Sequence, residues 1–296
     1  MPPERHKWPL QLSRRVEAKG RLRLLSALHV GGGVGSTSIT DAGVVRHADG
    51  RPYVPGSSLK GALRSHVERL CQNDILAEAG ASSCLLYPPD ENEESWSPTA
   101  EECPTLDHVR SNLHGQDVGA PEPTALSQWP EERTDSFLGR LCPTCTLFGS
   151  PYLAGKIRVP DLEVDERTYS GEVEIRDGVG IDRDRGRAVD QVKFDYEVVP
   201  SDTVFDLSLA ADSPDPVELG LLAIAIRELQ RGKVAIGGKT SRGLGKCRLE
   251  GVEIRDTKLD SMESASAYFK SRAGEDELQT VGTEEFLDEC IGALLD

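Results

Sequence analysis

Tyr53-Val-Pro-Gly-Ser-Ser-Leu-Lys-Gly-Ala-Leu-Arg-Ser65 is the stretch from which the fold of this chain is read. Pro55-Gly56 makes a turn, Ser57 or Ser58 supplies a helix cap, and Leu59, Leu63, Val67 and Leu70 recur at the spacing of one buried helical face. The pattern predicts a helix from Ser58 to about Asn73. A helix start exposes unpaired backbone N–H groups at the positive end of its dipole, and so attracts phosphate. Lys60 and Arg64, four apart, share a face away from the apolar stripe. The ordinary alternative is a capped helix with a solvated basic face, and the flanking sequence weighs between the two.

Upstream, Lys19 to Val30 alternates as a strand does and runs into Gly31-Gly-Gly-Val-Gly-Ser36, where Gly32 and Gly33 let backbone approach a ligand closely. Residues 1–18 are polar and carry Pro2, Pro3 and Pro9, which predicts a loosely attached arm. Downstream, residues 74–140 are acidic, rich in Pro, Ser and Glu, and without sustained period, as expected of an insertion. It contains Cys84 and Cys103 and leads into Cys142-Pro-Thr-Cys145, giving a zinc-bearing segment at 74–146. A C-x-x-C pair presents two thiolates to one tetrahedral zinc, and a segment with so little core gains order from such a site. Cys84, Cys103, Cys142 and Cys145 are the expected ligands, with Cys71, His108 or His114 as substitutes for one outer position. The alternatives are reduced thiols or a redox pair; Cys247 and Cys290 read as packing residues.

The remainder supplies the other elements. Gly155–Asp161 holds a short strand, and strand-like flanks around a glycine- and charge-rich middle at 172–200 predict a projecting hairpin. Thr203–Leu209 alternates as a strand, Pro216–Arg231 is a helix ended by Gly232, and Lys233–Ile236 and Gly245–Ile254 read as strands. With the insertions set aside, the order is strand, helix, strand, strand, helix, strand. That is an α+β chain of ferredoxin-like or RRM type, a sheet with two helices on one face, over residues 19–255. Residues 256–296 form an acidic tail with an amphipathic helix at Glu284–Leu295.

Two nucleotide folds are excluded. Gly238-Lys239-Thr240 invites a Walker loop, but the required glycine five places earlier is Lys233, and a strand rather than a helix follows. No doubly wound pattern surrounds Gly31–Gly35. The glycine loops are then either tight turns or a backbone cradle for a polynucleotide, with Lys239, Ser241 and Arg242 supplying phosphate contacts. A net charge of −16 argues against nucleic acid on average, yet a groove responds to its local field, and basic residues cluster at Lys60–Arg64, Arg176–Arg187 and Lys239–Lys246. No apolar run is long enough to span a bilayer and the N-terminus has no signal-peptide core, so a cytoplasmic chain without a membrane partner is expected.

The glycine loop after the first strand, Tyr53–Arg64, Cys142-Pro-Thr-Cys-Thr-Leu-Phe-Gly149, Gly180-Ile-Asp-Arg-Asp-Arg-Gly186 and Gly238-Lys-Thr-Ser-Arg-Gly-Leu-Gly245 occur in that order. Together they resemble the RAMP superfamily, specifically the backbone subunit of type III CRISPR–Cas effector complexes, over about residues 20–255. The resemblance implies an RRM-type palm with a zinc-binding insertion and a β-hairpin thumb around Val179–Arg187. It implies a CRISPR guide RNA, a target RNA and other RAMP subunits as partners. Guide phosphates would be held by Ser57, Ser58, Lys60 and Arg64, with Lys239, Ser241 and Arg242 beside them and Arg183 in the thumb. The family's catalytic aspartate falls at Asp41, its common Gly-Gly-x-Asp context being replaced by Thr37-Ser-Ile-Thr-Asp41. The implied reaction is Mg²⁺-dependent cleavage of target RNA, the ribose 2′-hydroxyl attacking the adjacent phosphate; Asp41 would recruit Mg²⁺ or take the proton. A non-catalytic guide-binding scaffold and a repeat-processing endoribonuclease are the alternative readings. His29 and His47 are minor acid–base candidates, and Asp182 is read as orienting Arg183.

Overall fold

The computed structural model describes residues 12–32, 40–84, 139, 141–150, 153–182, 184, 187–270 and 280–296. Its centre is β1 (Arg14–Leu24), which buries Val16, Ala18, Leu22 and Leu24 on one face. Gly20 occupies the same row: a side chain there would start 2.9 Å from the Leu249 methyl, and the pairing with the neighbouring strand shifts between Lys19 and Arg21. The strand begins at Arg14 rather than Lys19, so the last part of the expected arm belongs to the sheet; it ends at Leu24, and beyond it Leu28 makes only a single bridge, to Val199.

After β1 come β2 (Tyr53–Val54), α1 (Gly56–Leu70), α2 (Asp74–Glu78), α3 (Pro143–Phe148), β3 (Ile157–Arg158) and β4 (Leu162–Glu163). Then follow β5 (Glu174–Asp182), β6 (Arg187–Val198), β7 (Val204–Asp212), α4 (Pro216–Gln230), β8 (Cys247–Lys258), α5 (Met262–Lys270), β9 (Thr280–Val281) and α6 (Thr283–Leu295). One antiparallel sheet has the order β3-β7-β1-β8-β9, so β1 lies between β7 and β8. The expected strand–helix–strand–strand–helix–strand order is present as β1, α1, β3, β7, α4 and β8. Lys233–Ile236 is not a strand; only Ala235 bridges, to Lys246.

The two long helices pack with the sheet into one core containing Leu59, Leu63, Val67, Leu222, Ile226 and Leu229. Helix α4 starts with a capping box: Asp215 accepts from the Glu218 N–H at 2.9 Å, and Glu218 accepts from the Asp215 N–H at 2.8 Å. β9 pairs with β8, and α6 lies on α4, where the Leu294 side chain occupies the space a side chain at Gly220 would need. Phe286, Leu287, Cys290 and Leu294 are buried there.

β5 and β6 form a hairpin with its own two-stranded sheet, within the stretch expected to project. Most of β5 is exposed, while the end of β6, from Tyr196 to Val198, is buried against the body. That return fixes the base of the hairpin and positions the site described next.

Candidate functional site and candidate metal centre

The loop carrying Asp41 is stitched to the base of β6. Asp195 N–H donates to Asp41 Oδ2 at 3.0 Å, and Glu197 N–H donates to the Ala42 carbonyl at 2.9 Å. The buried Glu197 carboxylate accepts from Val44 N–H at 3.0 Å and from the Arg46 guanidinium at 2.7 Å. Below this, Gly32 N–H donates to the Gly43 carbonyl at 3.1 Å, which closes the loop at its neck. The Gly32 amide is thus spent on the fold. Gly33 lies outside the described residues, as does Arg183. Asp41 itself is exposed.

His29 lies beneath the same base. Its Nδ1 is 2.8 Å from the Glu197 carbonyl, which only accepts, so Nδ1 bears the proton in the neutral ring and Nε2 is the basic nitrogen. His47 is committed elsewhere, 2.9 Å from Glu163 and stacked on Tyr53 at 4.3 Å.

The loop between Gly237 and Gly245 arrives from the other side. Gly238 N–H donates to the His29 carbonyl at 2.8 Å, and a side chain at Gly237 would start 2.4 Å from that same oxygen. Lys239 adopts a left-handed conformation (φ 60°), which non-glycine residues rarely take, and its ammonium lies 4.7 Å from the centre of the Tyr196 ring. Arg242 ends a short 3-10 turn and sits 5.8 Å from the Phe194 ring centre. Ser241 and Arg242 are exposed. The site therefore joins the exposed Asp41 carboxylate, the Lys239 and Arg242 cations and two aromatic rings, over the buried Glu197–Arg46 pair. Phe194, Tyr196 and Glu197 were missed in the sequence; the Phe194-x-Tyr196 alternation on a strand was the available signal.

The start of α1 departs from expectation. The helix begins at Gly56 with Pro55 as its cap residue, so Ser57 and Ser58 lie in the first turn and neither caps through its side chain. Gly56 N–H donates to the Asp161 carboxylate at 2.8 Å, and a side chain at Gly56 would collide with the Val159 carbonyl at 1.9 Å. Asp161 thus supplies, from within the chain, the negative charge that the helix end attracts. Lys60 and Arg64 also turn inward. Lys60 donates to the Ile157 carbonyl at 2.9 Å, and burial, with Arg64 alongside, pulls its pKa below the ordinary lysine value. Arg64 binds Glu68 at 2.7 Å, the Gly149 carbonyl, and Cys145 Sγ at 3.5 Å. Sequence alone places these cations on a free face because it does not show the segment that packs across it.

Arg64 leads to the cysteines. The sulfur atoms of Cys84, Cys142 and Cys145 lie within 4.8 Å of one another, the one such cluster of three or more potential ligands among the described residues. Cys84 and Cys145 are 3.4 Å apart, far beyond a disulfide bond, and neither is in one. Three soft donors from two segments suit a tetrahedral zinc with one position left to fill. Cys103, His108 and His114 lie outside the described residues. Cys71 is not in the cluster; burial, reinforced by Cys142 and Glu68, pushes its pKa up to about 12. Burial does the same to Cys247, up to about 12, in keeping with a packing residue.

No helix among the described residues is long and apolar enough to cross a membrane. No curated protein matches the chain. The family model of the RAMP superfamily matches residues 21–248. The match runs from β1 to β8 and takes in the Asp41 loop, the hairpin and the loop with Lys239. Spanning more than half of the sequence, it establishes that the chain belongs to the RAMP superfamily.

Proposed function

We propose that this chain is a CRISPR guide-RNA-binding subunit of a type III effector complex, assembled with other RAMP subunits, that cleaves the complementary target RNA. The observation that carries the reading is the exposed Asp41 carboxylate, tied to the β6 backbone at Asp195, between the two rings, Phe194 and Tyr196, on which Arg242 and Lys239 lie. The strand order β3-β7-β1-β8, with α1 and α4 as the crossovers, supports a ferredoxin-like, RRM-type palm, with the hairpin as thumb. Lys239, Ser241 and Arg242 would hold phosphates, with Ser57 and Ser58 at the edge. Lys60 and Arg64, paired within the fold, would instead shape the surface.

In the proposed reaction the 2′-oxygen of a target ribose attacks its own 3′-phosphorus. Asp41 accepts the hydroxyl proton, the bond to the 5′-oxygen breaks, and that oxygen takes a proton from water. The products are a 2′,3′-cyclic phosphate and a 5′-hydroxyl. The hydrogen bond from Asp195 N–H holds the carboxylate in one orientation, and the cations steady the phosphate charge. Asp41 belongs to no group of three potential metal ligands among the described residues, but a single carboxylate facing substrate phosphates suits Mg²⁺, which keeps most of its waters. When bound there, Mg²⁺ would neutralise phosphate charge. The cysteine cluster would hold a structural zinc.

One observation favours a second reading, a guide-holding scaffold: the Asp41 carboxylate already serves as a structural tie to β6. Asp41→Asn separates the two, because the amide oxygen keeps the bond from Asp195 and loses the charge. In the assembled complex, Asp41→Asn should slow one specific cut in a guide-complementary RNA by about 100-fold or more, with assembly intact. Cutting at the wild-type rate would leave the scaffold.

A further inference from the structure

We propose that Phe194 is a stacking platform for one unpaired nucleobase of the bound RNA, with the Arg242 guanidinium covering the base's other face. The proposal rests on the RNA-binding reading above and adds the residue that seats a base next to Asp41. Phe194 and Tyr196, two apart on β6, point to the same side, with ring centres 6.0 Å apart and planes inclined by 29°. Their surroundings differ. Tyr196 is buried in a small cluster with Ala27, Val198 and Leu244, and is structural, whereas Phe194 sits half-buried at the rim of that cluster.

The ring of Phe194 is held from below. It lies over Gly178, its cross-strand partner on β5, where an added Cβ would fall 2.2 Å from the ring carbons. The glycine is there because the ring fills its side-chain space. The ring also meets cations: Arg242 at 5.8 Å and Lys239 at 5.9 Å from its centre. Both come from a loop whose backbone is pinned at Gly238 to the His29 carbonyl, so only their side chains need move. A base slipped between ring and guanidinium needs about two stacking steps of roughly 3.4 Å, a short outward swing of the exposed Arg242. Aromatic and guanidinium planes are the surfaces on which unpaired bases stack, whatever their sequence.

The position also fits the chemistry. Asp41 is bonded to the backbone of Asp195, the residue after Phe194, and one residue along a strand is about 3.3 Å. A base on Phe194 places its ribose and phosphate within reach of that carboxylate. In a chain of net charge −16, the collection of two cations over one reachable ring points to a polyanion rather than an apolar partner.

The test uses the full chain and a single-stranded RNA carrying 2-aminopurine, whose fluorescence is quenched by stacking, with anisotropy reporting binding. Wild type should bind and quench. Phe194→Leu keeps an apolar cover over Gly178 but removes the π-face; it should weaken binding about tenfold and abolish the quench. Phe194→Trp should retain both. Should Phe194→Leu lose its melting transition, the wild-type quench and its retention in Phe194→Trp decide instead. Binding without quench, or Phe194→Leu indistinguishable from wild type, overturns the platform and leaves the RNA reading standing. No RNA binding by wild type at low salt overturns both.

Discussion

Glu218 shows what a single buried residue contributes. Its side chain is fully buried, one oxygen closes the capping box of α4, and Lys156 Nζ approaches to 2.5 Å. Burial pushes its pKa up, and Lys156 opposes the shift only in part. A carboxyl with a raised folded-state pKa favours the fold while protonated, and that contribution is lost as pH rises through the raised value. Lys156→Met leaves the buried Glu218 carboxylate without its cation and should lower stability by about 3 kcal/mol. The loss should be larger at neutral pH than at acidic pH, because protonation removes the buried charge. Thermal melts at both values check this, and a pH-independent loss would contradict it. The helix over Pro216–Arg231 was legible in the sequence. That Glu218 would meet Lys156, from a strand edge 62 positions earlier, was not.

Among the elements, α3 and the segment around Cys84 are held together through sulfur. α3 has only six residues, too few to be stable by its own hydrogen bonds. Purified without chelators, the protein should carry about one zinc per chain, lost in Cys142→Ser plus Cys145→Ser together with a drop in melting temperature. Less than roughly a tenth of an equivalent in native protein would refute the metal. The C-x-x-C spacing announced the two neighbouring sulfurs of Cys142 and Cys145, though not the helix that carries them. Arg64 did not, since a cation on a helix looks the same in sequence whether it meets solvent, phosphate or Cys145. The end of α1 that was expected to bind anions is filled by Asp161, 105 positions away, and only the folded chain brings that carboxylate there.

Across the whole molecule, α6 extends the core beyond the span matched by the superfamily. It buries Phe286, Leu287, Cys290 and Leu294, and a fully buried Phe or Leu contributes about 1.5–3 kcal/mol. Against a total stability of about 5–15 kcal/mol, removing residues 283–296 should expose α4, lower the melting temperature sharply and induce binding of a hydrophobic dye. An unchanged melt would show that α6 only rests on the surface. The amphipathic pattern at Glu284–Leu295 was legible, but not what covered it.

What the sequence determined by itself is local: the periods that make α1, α4 and β7, the hairpin flanks, the cysteine pair, and the ordered motifs that mark the superfamily. Each depends on residues within a turn or a strand of one another, so composition and spacing carry it. What the tertiary structure alone decided is which of these groups remain available. Lys60 and Arg64 were claimed by carbonyls, a carboxylate and a sulfur, while Asp41, Phe194, Lys239 and Arg242 met at the base of β6. Charge and hydrogen-bonding capacity belong to a residue, but the partner that uses them is chosen by chain closure, over 81 positions for Arg64 and Cys145 and 154 for Asp41 and Asp195.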